Sequence, residues 1–201
     1  MSPPVGLVLL AAGRGTRFGP APKLLAPLDG VPLVRHAAEA ALRAGIGPVV
    51  AVLGHAEEAV RAALAGLDLV LVRNPAYAQG LSTSLRAGLA ALPEAAEGAM
   101  ILLGDMPRVP PALLAGLAAA FAGTDAAVVP VCAGRRGNPV LLNRRRLAAE
   151  LAALTGDRGA GPLLAGRRDV REWPVEEAGI LLDVDTPETL AGLARSPNAP
   201  L

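Results

Sequence analysis

The sequence has few cysteines, histidines and aromatic residues, and almost no excess of either charge. A single cysteine, Cys132, excludes an internal disulfide and any metal site built from several cysteines. The net charge of +1 argues against a nucleic-acid partner, because binding to a phosphate backbone needs a clear basic excess. The two histidines, His36 and His55, have no serine, cysteine or carboxylate neighbour at triad or zinc spacing, which favours structural roles for both.

Long apolar runs are also absent. None reaches the roughly 18 residues that span a bilayer, and the N-terminus lacks the charged segment of a secretory signal. We therefore expect a cytoplasmic protein with no membrane partner. With 52% hydrophobic but only 2% aromatic residues, its core must be built from alanine, leucine and valine. The length of 201 residues predicts a single domain over residues 1–195, followed by a frayed tail at 196–201.

What the sequence does contain is a regular alternation of apolar strands and helices. The first predicted elements are strands at 5–10, 48–53 and 67–72, with helices at 33–44 and 57–65 between them. This order predicts an α/β fold with a doubly wound, mostly parallel sheet in three layers, and ligands at the carboxyl ends of the strands. Later strands are predicted at 99–103, 126–132, 137–142, 170–175 and 180–182, and later helices at 82–92, 110–121, 162–165, from 144 and from 187.

A glycine-rich loop that carries three cations follows the first predicted strand. Glycines such as Gly13 and Gly15 allow the backbone to fold closely around a ligand. Arg14, Arg17 and Lys23 place positive charge beside exposed backbone N–H groups, which is the environment that a triphosphate needs. The loop therefore predicts a binding site for a nucleoside triphosphate.

Three other interpretations of this loop compete with that prediction. A P-loop needs Gly-Lys-Ser/Thr, but Lys23 stands between Pro22 and Leu24. A dinucleotide fingerprint needs a helix that starts among the glycines, which Pro20 and Pro22 oppose, and an acid after the second strand, which ends in Gly-His. An exposed connector with incidental charge would leave the clustering of glycines and cations unexplained.

Two later stretches place polar groups near the same edge of the predicted sheet. The strand at 99–103 ends in Gly-Asp105, and this carboxylate either caps a helix before Pro107 or binds Mg²⁺ beside a phosphate. In the stretch 79–85, Ser82 and Ser84 either cap the following helix or contact the base, ribose or phosphates of a nucleotide. The run 144–146 of three arginines favours a solvated helix face.

The last third of the chain contributes a loop and a pair of acids. Residues 155–161, Thr-Gly-Asp-Arg-Gly-Ala-Gly, form a polar, glycine-dense loop that can cradle an anion. Asp183 and Asp185 alternate just before the terminal helix, which Thr186 caps with Pro187 at its first position. The cap and the proline explain the start of this helix but not the two aspartates.

These motifs together resemble the MobA-like nucleotidyltransferases, and within that family most of all the molybdenum cofactor cytidylyltransferases. They extend over nearly the whole chain, at residues 10–13, 17–19, 23, 79–85, 103–107, 137–140, 156–160 and 183–187. The resemblance implies a fold like that of the nucleotide-diphospho-sugar transferases. A departure is Asn138, where relatives often have histidine.

The resemblance also implies a reaction. The terminal phosphate of molybdopterin attacks the α-phosphate of CTP, CMP is transferred and pyrophosphate leaves, with Mg²⁺ as cofactor. Catalysis is implied for Arg17, Lys23 and Asp105, and metal binding for Asp105 and Asp185. The implied nucleotide site comprises Leu10, Ala11, Ala12, Gly13, Arg14, Gly15, Arg17, Lys23, Gly80, Ser82, Ser84 and Asp105. The implied acceptor site comprises Asn138, Pro139, Gly156, Asp157 and Gly159.

Fewer residues bear on the identities of the nucleobase, the acceptor and the protein partner. Guanylyl-transferring relatives typically carry glycine where this chain has Ala12, whose methyl group could narrow the base pocket towards a pyrimidine. An apo molybdenum hydroxylase, or its insertion chaperone, is the partner that the resemblance implies. Two alternatives stay open: a nucleotidyltransferase with another nucleotide or acceptor, such as GTP, a sugar phosphate or a phospho-acid, and an NAD(P)-dependent oxidoreductase or non-catalytic nucleotide-binding protein.

Overall fold

A computed structural model describes residues 3–195 of the chain. The predicted frayed tail at 196–201 lies outside the described residues. The strands are β1 Val5–Ala11, β2 Pro27–Leu28, β3 Val31–Pro32, β4 Val49–Leu53, β5 Val70–Arg73, β6 Gly98–Leu103, β7 Ala127–Cys132, β8 Arg135–Arg136, β9 Val140–Asn143 and β10 Val170–Pro174. The helices are α1 Leu33–Arg43, α2 Glu57–Ala63, α3 Leu81–Ala91, α4 Pro111–Ala120, α5 Ala148–Ala153, α6 Gly161–Leu164 and α7 Pro187–Arg195.

The main sheet has eight strands, seven of them in the order β10-β7-β9-β6-β1-β4-β5, with β8 paired to β7. The pairs β1 with β4, β1 with β6, β4 with β5 and β7 with β10 are parallel. Strand β9 runs antiparallel to β6 and β7, between which it lies. The predicted mostly parallel sheet is therefore confirmed, with β9 and the short β8 as its antiparallel members. No helix within residues 3–195 is long and apolar enough to cross a membrane.

Apolar side chains cover both faces of this sheet. Leu7 and Leu9 of β1 pack in a core with α1, α2 and α4, whereas Val8 and Leu10 pack in a second core with α3 and α5. Successive side chains of a strand point to opposite faces, so a strand that is buried on both faces has no polar positions. This accounts for the continuous apolar sequence of β1 and confirms the predicted three-layer α/β arrangement.

Helix α3 packs unusually close to the sheet, at the position of Gly88. A Cβ atom on Gly88 would lie 2.3 Å from Cγ1 of Val8, so any side chain there would push the helix away from β1. Close packing of α3 brings its N-terminal residues to the carboxyl end of β1. The helix thereby forms one wall of the cavity described below.

A small satellite core holds the C-terminal segment against the same edge of the sheet. Val184 is fully buried against Leu28 and Leu33, with Leu190 and Leu193 of α7 packed alongside. Helix α7 begins as predicted, since the backbone N–H of Thr189 donates to Oγ1 of Thr186 at 3.3 Å. Burial of Val184 fixes the positions of the residues on either side of it.

Two predicted elements are wrong. The strand at 180–182 is absent, because residues Ala178–Leu181 form a 3-10 helix that buries Ile180 and lets its carbonyl accept from the backbone N–H of Asn138 at 2.9 Å. The helix from Arg144 begins only at Ala148, since residues 144–146 form a turn. The side chain of Asn143 stabilises that turn by accepting from the backbone N–H groups of residues 145 and 146.

The prediction that residues 144–146 form a solvated helix face is also wrong for Arg144. Its guanidinium donates to the backbone carbonyls of Leu89, Pro93 and Ala96, at 3.1, 2.8 and 2.6 Å. These carbonyls lie at the C-terminal end of α3 and just beyond it, where the last turn of a helix leaves acceptors unsatisfied. Arg144 therefore stabilises the end of α3, which a pattern of local charge could not reveal.

Candidate active site

A cavity of about 480 Å³ lies at the carboxyl ends of β1 and β6. The sequence predicts ligand binding at this edge, and the cavity brings together loops from five parts of the chain. Its lining residues are Leu10, Ala12, Gly13, Arg14, Gly15, Thr16, Arg17, Lys23, Leu24, Tyr77, Ala78, Leu81, Ser84, Leu103, Asp105, Asp157, Asp183 and Asp185.

The glycine-rich loop forms the entrance side of the cavity without starting an α-helix. After β1 it makes a 3-10 turn at Thr16–Phe18 and a second at Lys23–Leu25, and the next α-helix begins only at Leu33. Gly15 has a φ of 58°, and a Cβ there would lie 2.8 Å from Cβ of Lys23. The loop thus packs on the lysine stem, and it lacks the helix that a P-loop or a dinucleotide fingerprint requires.

Lys23 bridges two carboxylates from distant parts of the chain. Its Nζ donates to Oδ2 of Asp105 at 2.6 Å and to Oδ1 of Asp185 at 2.8 Å, with only 10% of its side chain exposed. Arg17 Nη2 reaches the other oxygen of Asp185 at 2.6 Å from a largely exposed position. Of the 19 lysine and arginine residues in the sequence, Lys23 alone is a lysine. An ammonium is compact enough to lie between two carboxylates, whereas a guanidinium is a broad planar fork.

The two aspartates of this bridge are placed by backbone contacts. Asp105 follows β6 by two residues, and its carbonyl accepts from the backbone N–H of Val184 at 3.0 Å. Because Val184 is buried, its neighbours Asp183 and Asp185 both reach the cavity. The alternation of acid, apolar residue and acid therefore has a structural cause: the middle residue anchors the segment in the satellite core.

Burial and charge shift the pKa values of this cluster in different directions. Burial alone would lower the pKa of Lys23, but the Asp105 and Asp185 carboxylates outweigh it and raise the pKa above its ordinary value. Burial would raise the pKa of Asp185, but the hydrogen bond and charge of Lys23, together with Arg17, lower it. Burial and the neighbouring carboxylates raise the pKa of Asp183. At neutral pH the cluster therefore contains a charged ammonium facing an ionised Asp185.

The residues of this cluster fit a hard cation. Oδ1 of Asp105 is buried without a hydrogen-bond partner, which leaves a carboxylate oxygen free to coordinate. Within residues 3–195 no group of three or more histidine, cysteine, aspartate or glutamate side chains is arranged to hold a metal by itself. Two carboxylates with remaining positions for phosphate oxygens and water are the donor set that suits Mg²⁺.

Most of the predicted nucleotide-binding residues line this cavity, but three do not. Ala11 is fully buried at the end of β1. Ser82 is 1% exposed, its backbone N–H donates to the carbonyl of Gly156 at 3.1 Å, and its hydroxyl is unpartnered. Gly80 has a φ of 115° and fits so tightly that a Cβ would lie 2.3 Å from the carbonyl carbon of Gly156.

The serine cluster does not cap α3, contrary to one of the two interpretations of that stretch. Gly80 occupies the N-cap position, and no side chain makes a capping hydrogen bond there. The hydroxyl of Thr83 instead donates to backbone carbonyls, including that of Gly80 at 2.8 Å. Ser84 lines the cavity and accepts from the side-chain amide of Asn74 at 2.9 Å.

A second cavity of about 300 Å³ adjoins the first, and the two share Leu10, Leu81 and Leu103 in their linings. Of the predicted acceptor residues, Asn138 and Gly159 line it, and Asp157 lines the first cavity. Pro139 is buried behind Asn138, and Gly156 lies against Gly80. Most of the remaining lining is aliphatic: Leu85, Ile101, Val129, Val140, Ala160, Pro162 and Leu164, with Arg136 as its one charged residue.

Sequence analysis did not assign site roles to Tyr77, Thr16 or Asp183, all of which line the larger cavity. Tyr77 carries a usable signal, because it is the only tyrosine in a chain with 2% aromatic residues. Asp183 could have been found by its spacing from Asp185 across a single apolar residue. Thr16 offers no such signal.

Comparison with known proteins agrees with this geometry. The chain is 32% identical over 183 residues to the bifunctional protein GlmU of Geobacter metallireducens, a match that covers 89% of this chain and 38% of that protein. A second GlmU, from Kineococcus radiotolerans, is 40% identical over 133 residues, covering 65% of this chain and 27% of that one. The chain thus spans well under half the length of these curated relatives.

Solved structures match over nearly the whole chain. Rv0371c from Mycobacterium tuberculosis has a TM-score of 0.85 at 34% identity, covering 98% of this chain and 100% of that one. The same protein in complex with manganese has a TM-score of 0.79 at 35% identity, covering 96% and 98%. A nucleotidyl transferase from Methanothermobacter thermautotroptrophicus has a TM-score of 0.83 at 26% identity, covering 95% and 96%.

These neighbours confirm the predicted nucleotide-diphospho-sugar-transferase-like fold, with its mixed, mostly parallel sheet flanked by helices. The sequence profile of one family, described as the MobA-like NTP transferase domain, matches residues 7–172. That range begins in β1, ends in β10 and includes the glycine-rich loop, Lys23 and Asp105. The chain belongs to the MobA-like NTP transferase domain family.

Proposed function

We propose that this protein transfers CMP from CTP to the terminal phosphate of molybdopterin, releases pyrophosphate and depends on Mg²⁺. The observation that carries nucleotidyl transfer is the single cavity in which Arg17, Lys23, Asp105 and Asp185 converge beside the glycine-rich loop. Cations and exposed backbone N–H groups bind a triphosphate, while carboxylates bind the cation that accompanies it. Family membership and the solved nucleotidyl transferase structure support the same reaction class.

The chemistry needs no general base. A terminal phosphate oxygen of the acceptor, already ionised at neutral pH, attacks the α-phosphorus of CTP. The new phosphorus–oxygen bond forms as the bond to the β-phosphate breaks, and pyrophosphate carries away the electron pair. In this proposal Lys23 and Arg17, which both line the cavity, neutralise the negative charge that grows on the transferring phosphoryl group. The absence of a histidine from the cavity lining within residues 3–195 fits such a mechanism.

Asp105 and Asp185 are the residues that would hold Mg²⁺, with the free Oδ1 of Asp105 as one ligand. A divalent ion there supplies charge neutralisation for the triphosphate and orients the reacting oxygens. The manganese complex of Rv0371c, a protein similar to this chain, supports a divalent cation as cofactor. Lys23 now bridges both carboxylates, and its ammonium would be available to the phosphates if these oxygens held a metal instead.

The adjoining cavity supports a pterin over a sugar as the acceptor. Its wall is mainly aliphatic, with Asn138 and Arg136 as polar side chains, and Arg136 is already paired with Glu172 at 2.8 Å. A sugar needs a hydrogen-bond partner for each buried hydroxyl group, and aliphatic side chains supply none. A pterin has two flat faces that pack against aliphatic side chains and a polar edge that one amide can bind.

A sugar phosphate remains the second candidate acceptor, because the curated relatives named GlmU suggest an acceptor of that class. An NAD(P)-dependent oxidoreductase is disfavoured by the glycine-rich loop, which makes 3-10 turns rather than the helix that cradles a dinucleotide. As the partner that receives the product we propose an apo molybdenum hydroxylase or its insertion chaperone.

The deciding experiment measures pyrophosphate release with CTP, GTP, ATP or UTP, each with and without molybdopterin and Mg²⁺. We expect release only with CTP, molybdopterin and Mg²⁺ together. Glucosamine 1-phosphate and N-acetylglucosamine 1-phosphate serve as alternative acceptors. Pyrophosphate release with a sugar phosphate but not with molybdopterin would show that the acceptor is a sugar phosphate. Release with GTP instead of CTP would show that the nucleotide is GTP.

Ala12 provides a separate prediction about base choice. It is 2% exposed and lines the cavity, and its Cβ would lie 2.8 Å from a Cβ atom added to Gly54. Ala12→Gly removes one methyl group, and a single methyl in such a pocket is worth about tenfold in discrimination. We expect the ratio of kcat/KM for CTP over GTP to fall by about tenfold. An unchanged ratio would show that this methyl group does not select the base.

A further inference from the structure

One side of the larger cavity is formed by Tyr77, which neither the phosphate nor the acceptor chemistry uses. Leu10, Leu81 and Leu103 border the second cavity, where we place the acceptor. Tyr77 is absent from that second lining and instead borders a shallow opening on the outer side of the glycine-rich loop, together with His55. The nucleotide and the acceptor can therefore approach the charged cluster of Arg17, Lys23, Asp105 and Asp185 from different sides.

The ring of Tyr77 is held in a fixed position. A Cβ on Gly54 would lie 2.7 Å from Cβ of Tyr77 and 2.8 Å from Cβ of Ala12, so these residues pack tightly around that glycine. The ring centroid of His55 lies 6.3 Å from that of Tyr77 at an interplanar angle of 50°. The backbone N–H of His55 donates to the carbonyl of Ala12 at 3.1 Å, which ties the aromatic pair to the end of β1.

A flat cation covers one face of this ring. The guanidinium carbon of Arg14 stands 5.7 Å from the ring centroid of Tyr77. A guanidinium is planar and weakly hydrated, so it occupies an aromatic face in the same way as a nucleobase does. Arg14 is itself exposed, and its neighbour Gly15 packs on the stem of Lys23. A short stretch of loop thus connects the aromatic ring to the ammonium of the charged cluster.

From these contacts we infer that Tyr77 is the stacking surface for the nucleobase, and that Arg14 covers this surface only while no nucleotide is bound. The inference rests on the proposed nucleotidyl transfer but not on the identity of the base. Stacking of the base displaces the guanidinium from the ring. Arg14 then joins Arg17 in binding the triphosphate, whose charge is nearby.

The scarcity of aromatic residues strengthens the inference. The sequence has one tyrosine, one tryptophan and two phenylalanines. Phe121 is 1% exposed in the main core, Phe18 packs against the satellite core, and Trp173 packs on α4 at Gly116. Within residues 3–195, Tyr77 is therefore the one tyrosine, tryptophan or phenylalanine that lines the larger cavity. Aromatic stacking binds any base, because every base presents a flat face.

The test compares two ligands on three forms of the protein by titration calorimetry. The ligands are the nucleoside triphosphate that binds most tightly and inorganic tripolyphosphate, which lacks the base. For Tyr77→Leu we expect binding of the nucleotide to weaken by about tenfold to hundredfold, with tripolyphosphate affinity unchanged. Tyr77→Phe, the matched control, keeps the ring and should bind both ligands like the wild type. Equal affinities in Tyr77→Leu and wild type, or equal losses for both ligands, would overturn the inference.

A spectroscopic measurement tests the same contact without removing the ring. In Trp173→Phe the emission of the chain comes from its single tyrosine, Tyr77. We expect the nucleotide to quench this emission, after correction against free tyrosine amide, and tripolyphosphate to leave it unchanged. A wild type that binds no nucleotide would overturn the proposed function and this inference together. A wild type that binds and transfers CMP, with unquenched Tyr77, would overturn the inference alone.

Discussion

Asp105→Asn is expected to lower the rate of nucleotidyl transfer by about 10³-fold, because it removes the carboxylate that joins the Lys23 bridge and offers a free oxygen for a metal. The amide keeps the shape of the side chain but loses its charge and one acceptor oxygen. The backbone contact from Val184 to the carbonyl of Asp105 does not involve the side chain, so the fold should persist. Single-turnover formation of pyrophosphate measures the effect.

A matched control removes a carboxylate from outside the cavity. Asp68, exposed in the loop before β5, changes the net charge by the same amount when replaced by asparagine. We expect Asp68→Asn to transfer CMP at the wild-type rate. The midpoint of thermal unfolding should move by only a few degrees in both variants. A transfer rate in Asp105→Asn within tenfold of the wild-type rate would show that Asp105 is not a catalytic residue.

Lys23→Met is expected to have two opposite effects. Transfer should fall by about 10²- to 10³-fold, as when one preorganised donor to a transition-state charge is deleted. Binding of Mn²⁺ in the absence of nucleotide should become tighter, because the ammonium that now bridges Asp105 and Asp185 no longer competes for their oxygens. Single-turnover kinetics give the first quantity, and electron paramagnetic resonance of free Mn²⁺ gives the second.

The two readouts separate a catalytic from a structural role. A misfolded variant would lose both transfer and metal binding, whereas Lys23→Met should lose only the first. Lys23→Arg is the conservative comparison, and we expect it to stay impaired, because a broad planar guanidinium cannot lie between Asp105 and Asp185 as the compact ammonium does. Weaker Mn²⁺ binding in Lys23→Met, with an intact fold, would contradict competition between the lysine and the metal.

The raised pKa of Lys23 bears on the same experiment. The carboxylates hold this pKa above its ordinary value, so the ammonium is charged in the free protein across the neutral range. The contribution of the ammonium to the free energy of unfolding is therefore lost only as the pH rises through the elevated pKa. Lys23→Met should therefore unfold more easily than wild type at neutral pH, and the difference should shrink in strongly alkaline solution. Loss of the bridge, rather than loss of packing, would then account for the destabilisation.

Much of the fold and the edge that carries the site follow from the sequence. Apolar runs such as β1 predict strands because a strand buried on both faces has no polar positions, and Asp105 falls at the end of another such run. The carboxyl ends of parallel strands meet at one edge, so the cations of the glycine-rich loop and Asp105 were expected together. The family resemblance followed from the same residues, and the family profile confirms it.

The tertiary structure decided which of these side chains touch, because that depends on packing between segments far apart in the chain. Lys23 meets partners 82 and 162 residues away, and only burial of Val184 turns Asp185 towards it. Local patterns likewise could not separate Ser82, enclosed against Gly156, from Ser84, which reaches the cavity. The sequence alone thus determined most of the elements, the edge of the sheet and the charges of the site. Contacts between distant segments decided the bridge of Lys23 and the place of Tyr77, since a local pattern records only the preference of its own stretch of chain.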